Sequence, residues 1–240
     1  MSVLKYDLHI HSCLSPCAED EMTPANIAAY AALLELDVVA VTDHNSCKNC
    51  PAFFAMAEEY GIVPIAGMEL CTSEEIHVLC LFSELDGAMR FGEYVDEAMY
   101  KLPNLPERYG RQVIMNEADE EAGEEDNYLL AATSVDLYGL SETVKFYGGV
   151  VVPAHIERAA FSLISTLGFV PDDCGFGTVE IRARGAADNL KKQHEYLNYC
   201  GILFDSDAHM LENIGSGEGV MEVSERTASA VIDYLMGSKH

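Results

Sequence analysis

Short apolar runs alternate with helical patterns along most of the chain. The apolar runs predict seven strands, which begin near residues 3, 38, 62, 76, 149, 178 and 202. Between and after them, the patterns predict helices over 24–36, 51–60, 86–100, 134–147, 161–167, 188–199 and 224–236. This alternation favours an α/β protein with a largely parallel sheet. Periodicity alone does not distinguish an open doubly wound sheet from a closed barrel.

One region interrupts this pattern. Residues 102–110 contain two prolines and predict a loop, and 112–115 and 128–131 flank an acidic, glycine-containing stretch. We expect a β-hairpin around 111–131, inserted between regular units. The predicted organisation is one barrel-sized domain over 1–240 with an insertion at about 103–133. The hairpin could cover the mouth of a site or mediate dimerisation, and the oligomeric state is left open.

Composition narrows the classes of protein. Hydrophobic residues make up 49% of the chain, which is enough for a sizeable core. There is no apolar run of membrane-spanning length and no leader pattern at the start, so we expect a cytoplasmic protein with no membrane partner. The formal charge is -26, from 14 basic and 40 acidic residues. A surface so negative repels polyanions, and we therefore expect no long nucleic acid as partner.

Eight cysteines leave two alternatives open. Cys47 and Cys50 form a Cys-x-x-Cys pair, which could be redox-active or could join Cys13 and Cys17 in a separate zinc site. The spacing of Cys13 and Cys17 is wider than in most structural zinc sites. We therefore favour small buried side chains and loop thiols, mostly reduced in a cytoplasmic protein.

The histidines concentrate where predicted strands begin or end. The residues at these positions are His9, His11, His44, Glu69, His77, His155, Asp207 and His209. Only His194, in a predicted helix, and the terminal His240 lie elsewhere among the eight histidines. His9 and His11 alternate along a strand, so their imidazoles share a face. Loops at the carboxyl ends of parallel strands meet in one mouth, and the pattern therefore predicts a metal site there.

The ligand types indicate the chemistry. Imidazole with carboxylate suits zinc, manganese or iron rather than a thiolate-bound ion. So many ligands exceed the needs of one ion, and we expect two or three ions with Glu69 or Asp207 bridging them. Closely spaced ions lower the pKa of a shared water and stabilise the charge of a phosphate during phosphoryl transfer.

The chain resembles the PHP (polymerase and histidinol phosphatase) family. The resemblance rests on the runs DLHIHS (7–12), VTDHN (41–45), GME (67–69), PAH (153–155) and DSDAH (205–209). It implies a distorted (β/α)7 barrel with a trinuclear metal centre that hydrolyses phosphate esters through a metal-bound hydroxide. By this resemblance, His9, His11, Glu69 and Asp207 bind one ion, His44 and His209 a second, and Glu69, His77 and His155 a third.

The resemblance also implies an acidic ligand in the loop after the first strand. Glu19 falls at that position, with Asp20 beside it, and Glu19 is the predicted ligand. Asp43 is expected to support His44 rather than to bind metal.

Few basic residues are available to bind a phosphate. Arg158 follows His155, and Arg182 and Arg184 follow the strand near 178, so all three are expected to face the mouth. Arg158 and Arg182 are the predicted phosphate-binding catalytic cations, beside Glu69 and Asp207 as catalytic carboxylates.

Two functions from different classes follow. The first is a metal-dependent phosphoesterase for a small phosphorylated metabolite or nucleotide, with histidinol phosphate or a short oligonucleotide as further substrates. The second is a non-catalytic module of the same fold, which uses metal only for stability.

Overall fold

The fold is organised around a curled six-stranded sheet that forms about half of a barrel. The computed structural model describes residues 1–237, so the terminal His240 lies outside the described residues. The strands are β1 (Ser2–Asp7), β2 (Val38–Val41), β3 (Val63–Cys71), β4 (His77–Phe82), β5 (Val113–Met115), β6 (Glu121–Glu124), β7 (Gly149–Pro153), β8 (Thr178–Glu180), β9 (Gly201–Leu203) and β10 (Gly219–Val223). The large sheet has the order β10-β1-β2-β3-β4-β7.

The helices connect these strands. They are α1 (Pro24–Leu33), α2 (Cys50–Tyr60), α3 (Leu85–Ala98), α4 (Pro106–Tyr109), α5 (Leu140–Phe146), α6 (Leu163–Leu167), α7 (Ala187–Gln193) and α8 (Ala228–Leu235). Two residues expected to cap helices do so. Thr23 caps the start of α1 by accepting a hydrogen bond from Asn26 N, and Gly61 ends α2 with φ +66°.

The sheet is less parallel than the sequence suggests. β1, β2 and β3 are parallel, but β4 runs antiparallel to both β3 and β7, and β10 runs antiparallel to β1. The direction of β4 matters for the site. Because β4 is reversed, its first residue, His77, lies at the edge where β3 and β7 have their carboxyl ends.

The strands β8 and β9 form a separate parallel pair beside the large sheet. On one side, Ile156 N after β7 donates to Glu180 O at 3.0 Å. On the other, a parallel bridge joins Ile10 after β1 to Ala208 after β9. These contacts bring the ends of β1, β7, β8 and β9 together.

Burial on both faces explains why the strand sequences are continuously apolar. All four residues of β2 are buried, and so are all six of β4. Helices α1 and α2 cover one face with Ile27 and Phe53, while α3 covers another region with Phe91.

Some predicted elements differ from the structure. The antiparallel partner of β5 is β6 at Glu121–Glu124, not 128–131. The helix predicted over 134–147 is reduced to α5, and Ser134 N, outside any helix, donates to Ala98 O. The strand β10 is absent from the prediction, although its buried and exposed residues alternate as in a half-buried strand.

Candidate metal centre

Eight predicted ligands converge at one edge of the sheet, and we call this group the histidine cluster. Its members are His9, His11, His44, Glu69, His77, His155, Asp207 and His209. Strand alternation accounts for its first two residues. Leu8 and Ile10 are fully buried in the core, so His9 and His11 lie on the opposite face, with ring centroids 5.2 Å apart.

Glu69 lies at the centre of the cluster, with imidazoles from several strands around it. Its Oε1 lies 2.9 Å from His77 Nδ1 and 3.0 Å from His155 Nε2. Its Oε2 lies 3.0 Å from His44 Nδ1 and 3.4 Å from His11 Nε2. A carboxylate with both oxygens among imidazoles is placed as a bridging ligand would be.

Asp207 provides the second carboxylate. Its Oδ1 lies 3.5 Å from His9 Nε2 and 3.4 Å from His11 Nε2. The same oxygen is 3.7 Å from His209 Nδ1, and the His209 ring stacks on His11 with centroids 4.3 Å apart. Asp207 therefore joins the two histidines of β1 to the loop after β9.

Hydrogen-bond partners determine the tautomers of the first two histidines. His9 Nδ1 lies 2.8 Å from Glu180 Oε2, a pure acceptor, so this nitrogen carries a proton. Ser15 Oγ donates to Asp43 Oδ1 at 2.7 Å and accepts from His11 Nδ1 at 3.1 Å. In the neutral forms, the Nε2 atoms of His9 and His11 therefore both present lone pairs, only 3.2 Å apart.

Lone pairs facing each other among carboxylates need a positive charge between them. Burial lowers the pKa of His9, but the carboxylates of Glu180 and Glu69 outweigh it and raise this pKa well above its usual value. Burial lowers the pKa of His11 well below its usual value. Burial raises the pKa of Glu69, but the imidazoles of His77 and His9 hold it well below its usual range. The raised pKa of His9 favours its protonated form beside these carboxylates.

Divalent ions fit the same place. Within residues 1–237, three sets of ligand atoms lie within 4.8 Å of one another: His11, His44 and His209; His9, His11 and Glu69; and His44, Glu69 and His77. In addition, His44 Nδ1 is buried and lacks a hydrogen-bond partner despite its closeness to Glu69. Imidazole nitrogens and carboxylate oxygens in this number suit zinc, manganese or iron.

Several residues at this edge have a strained backbone. Asn45, His155 and Asp207 adopt positive φ angles of +51°, +30° and +52°. Such conformations are costly for residues other than glycine, and they persist where the surrounding structure enforces them. Asn45 shows how, since its side chain donates to the carbonyls of Leu129 and Ala131.

Glu19 is the predicted ligand that the structure does not bring into the cluster. Its side chain is exposed, as is that of Asp20, and neither belongs to a set of converging ligand atoms. Only the Glu19 backbone N–H approaches the site, donating to His209 O at 2.9 Å.

The three predicted arginines have different positions. Arg158 NH1 lies 3.5 Å from Asp207 Oδ2 and is partly exposed beside the cluster. Arg182 is exposed just after β8. Arg184 does not face the mouth, because its guanidinium lies over the Phe204 ring at 4.0 Å and donates to two backbone carbonyls.

Two supporting residues were missing from the sequence prediction. Glu180 is fully buried and holds His9, and the signal for it is a single acid between the apolar Val179 and Ile181. Ser15 is the other, and it connects Asp43 to the cluster by accepting from both His11 Nδ1 and His44 N. No sequence pattern marks Ser15.

The cysteines lie apart from the candidate ligands. All eight are free, and no converging set of ligand atoms in residues 1–237 includes one. The thiols of Cys47 and Cys50 are buried and point to Gly67 O at 3.3 and 3.4 Å. This arrangement agrees with small buried side chains.

Comparison with known proteins gives a family match. A family model described as the PHP domain matches residues 7–168. No curated protein matches the chain. A lesion-specific endonuclease from Pyrococcus furiosus has a similar structure, with TM-score 0.71 and 20% identity over 98% of this chain and 56% of that one. A predicted metal-dependent phosphoesterase from Bifidobacterium adolescentis matches with TM-score 0.61 and 17% identity over 98% and 96%.

A second endonuclease structure corrects the predicted partners. Endonuclease Q in complex with a 27-mer duplex carrying an abasic lesion matches with TM-score 0.66 and 17% identity, over 98% of this chain and 56% of that one. This chain therefore spans just over half the length of these endonucleases. The prediction that acidic composition rules out long nucleic acid is wrong for this fold, because net charge does not describe the local field near a metal site.

Among residues 1–237, no helix combines the length and the apolar character that crossing a membrane requires.

Proposed function

Because the chain belongs to the PHP domain family, we propose that it is a metal-dependent phosphoesterase with several divalent ions in the histidine cluster. The predicted family is confirmed. The prediction of an enzyme agrees with the endonuclease and the phosphoesterase that share this fold. The observation that carries the proposal is the pair of Nε2 atoms of His9 and His11, 3.2 Å apart beside two carboxylates.

We assign the ions to three sets of ligands, with zinc, manganese or iron as candidates. One ion would be held by His9, His11, Glu69 and Asp207, a second by His44 and His209, and a third by Glu69, His77 and His155. Glu69 would belong to two of these sets, since its Oε1 lies 2.9 Å from His77 Nδ1 and its Oε2 lies 3.4 Å from His11 Nε2. The proposed fold is a single distorted (β/α)7 barrel over 1–240 with an insertion at about 103–133. The hydrogen bonds that join the β8–β9 pair to β7 and to the end of β1 support it.

We assign separate roles to the bound ions, to Glu180 and to Arg158. Bound divalent ions supply Lewis acidity, which lowers the pKa of a water and neutralises charge on a phosphate. Glu180 holds His9 in the orientation that presents Nε2 to the site. Arg158 is placed to bind a phosphate oxygen next to Asp207, as arginine does in many phosphate sites.

The proposed substrates are phosphate esters of a small metabolite or nucleotide. The fold is shared with an endonuclease seen with duplex DNA, so lesion-containing duplexes belong among the substrates to be tested. The insertion contacts the loop that follows His11, since Val113 N of β5 donates to Cys13 O, and this contact supports a role of the insertion in access to the site.

A hydrolysis assay with matched variants tests this proposal. The metal-loaded protein is given p-nitrophenyl phosphate with added manganese or zinc, and His9→Ala and Asp207→Ala are compared with wild type. His194→Ala is the control, because His194 lies at the end of α7, outside the cluster. We expect activity only in wild type and the control. Equal activity in all four proteins would reject the assigned centre.

The non-catalytic module remains the alternative and is separated by a second measurement. Thermal stability and turnover are measured together, with and without a chelator. An enzyme loses both on chelation. A module loses stability while hydrolysing none of the tested esters in either state.

A further inference from the structure

An exposed loop between β7 and α6 presents two unlike side chains beside the histidine cluster. Residues 158–161 are all exposed. Arg158 lies at one end, 3.5 Å from Asp207. Phe161 lies at the other end, and its ring stacks on that of His77 with centroids 4.9 Å apart and planes inclined by 25°.

Phe161 is exposed for 41% of its surface, although its ring stacks on the buried His77. His77 covers part of the ring, and the exposed remainder is open to solvent. A large apolar side chain in this position adds nothing to the core clusters of the protein. What distinguishes Phe161 is its position, since its ring stacks on a candidate metal ligand and presents an open aromatic face beside the cluster.

The backbone holds Phe161 in this place. Its φ is +55°, an unusual conformation for a bulky residue and one that persists at sites where the surroundings enforce it. Phe161 O accepts a hydrogen bond from His77 N at 3.0 Å. At the other end, Arg158 N donates to His155 O and Ser162 Oγ donates to Arg158 O. The two side chains are therefore presented by a loop tied to two cluster histidines.

We propose that Phe161 is a stacking platform for a planar ring carried by the phosphate ester, while Arg158 binds its phosphate. The substrate class is then a phosphate ester with an aromatic ring, such as a nucleotide or an aryl phosphate. Stacking on an exposed aromatic side chain suits any planar base, because every base has a π-face. The phosphate part of this inference rests on the proposed function, but the ring contact does not.

The chain contains no tryptophan, and this permits a direct binding test that needs no turnover. Phe161→Trp introduces a single tryptophan at the platform, which can be excited selectively over the 12 tyrosines of the chain. Phe146→Trp is the matched control, since Phe146 is also exposed but precedes β7, at the opposite end of the strand from His155. The probes are adenosine monophosphate, phenyl phosphate and glycerol phosphate, each added to the metal-loaded protein.

We expect saturable quenching of Phe161→Trp, about twofold or more, by the two ring-bearing esters. Glycerol phosphate should leave its emission unchanged, and no ester should quench Phe146→Trp in a saturable way. Equal responses of the two variants to all three esters would overturn the platform.

Kinetics give a second test. In Phe161→Ala and Phe161→Leu, kcat/KM for adenosine monophosphate relative to glycerol phosphate should fall about tenfold, mainly through KM, and Phe161→Tyr should restore it. The Leu variant keeps apolar bulk, so its loss separates stacking from simple packing. An unchanged ratio in both variants overturns the platform.

The two tests separate the platform from the proposed function. If Phe161→Trp is quenched by ring-bearing esters but the wild type hydrolyses none of the three, the phosphoesterase assignment fails and the ring site stands. If the wild type hydrolyses all three esters and the ratio of kcat/KM values is the same in the Phe161 variants, the ring site fails and the phosphoesterase assignment stands.

Discussion

Replacement of Glu180 should weaken metal binding without removing any ligand. Its carboxylate lies 2.8 Å from His9 Nδ1, and both side chains are fully buried. Glu180→Gln keeps a neutral acceptor for the Nδ1 proton, whereas Glu180→Ala leaves that proton without a partner. The series therefore separates the charge of Glu180 from its hydrogen bond.

The expected losses follow from hydrogen-bond energies. A buried hydrogen bond to a charged group contributes about 1.5–3 kcal/mol and a neutral one about 0.5–1.5 kcal/mol. Glu180→Gln should thus cost about 1–1.5 kcal/mol, or roughly 5- to 10-fold in metal affinity. Glu180→Ala should cost about 2–3 kcal/mol, or roughly 30- to 150-fold. Both lie near the range usual for residues that orient metal ligands, about 10- to 100-fold.

Metal affinity can be measured by competition with a chromophoric chelator, with circular dichroism confirming that each metal-free variant is folded. Glu157→Gln is the matched control, because Glu157 accepts from Ala183 N and has no hydrogen bond to the cluster. It should bind metal within about twofold of wild type. If Glu180→Gln and Glu180→Ala also stay within about twofold, Glu180 does not orient His9 for a metal ion.

Three further predictions follow. Chelation should lower the melting temperature measured by calorimetry. An ion present at a concentration 100 times its Kd stabilises the folded state by about 2.7 kcal/mol. An unchanged melting temperature argues against a bound ion. Metal affinity should fall as pH falls, because the pKa of His9 is raised by Glu180 and Glu69, against the effect of burial, and its proton must leave before an ion binds. Proton release on metal addition, followed with an indicator dye, checks this, and no release contradicts it. Gly67→Ala should lower the free energy of unfolding in urea by about 1–3 kcal/mol, since an added Cβ would lie 2.7 Å from Cys80 O. Gly123→Ala should leave the free energy of unfolding unchanged, because no atom lies within 4 Å of the added Cβ. Equal stability of the Gly67→Ala and Gly123→Ala variants would contradict the packing argument.

The sequence located most of the cluster because the ligands are chemically unusual for their positions. Histidines at the ends of apolar strands stand out, and strand alternation places His9 and His11 on one face. The sequence could not give the direction of β4. A parallel strand starting at His77 would carry that residue to the far edge, and only antiparallel pairing with β3 and β7 brings it to Glu69.

Other features depend on contacts across long stretches of chain. Glu180 meets His9 across 171 residues, and nothing near either residue in sequence indicates that contact. Glu19 shows the limit of position along the chain as a guide. Its place in the loop suits a ligand, but its side chain is exposed and its backbone N–H donates to His209 O.

The aspartates that open the first and last motifs explain how such distant segments meet. Asp7 Oδ1 accepts from Ser206 N at 3.1 Å, and Asp205 Oδ1 accepts from Leu8 N at 2.6 Å. Each carboxylate thus holds the backbone of the other motif, across nearly 200 residues of chain. Burial raises the pKa of Asp205 well above its usual value, together with the charges of Glu180 and Asp7.

This reciprocal pair gives the aspartates a role distinct from that of the ligands. The residue after Leu8 is His9, and the residue after Ser206 is Asp207, so each hydrogen bond fixes the chain immediately before a cluster residue. As a result, His9 Nε2 and Asp207 Oδ1 lie 3.5 Å apart. Metal geometry tolerates only small errors in ligand position, and rigid support behind the ligands is what limits such errors. The acidic pair therefore positions the site, although neither aspartate belongs to the sets of residues that could hold an ion.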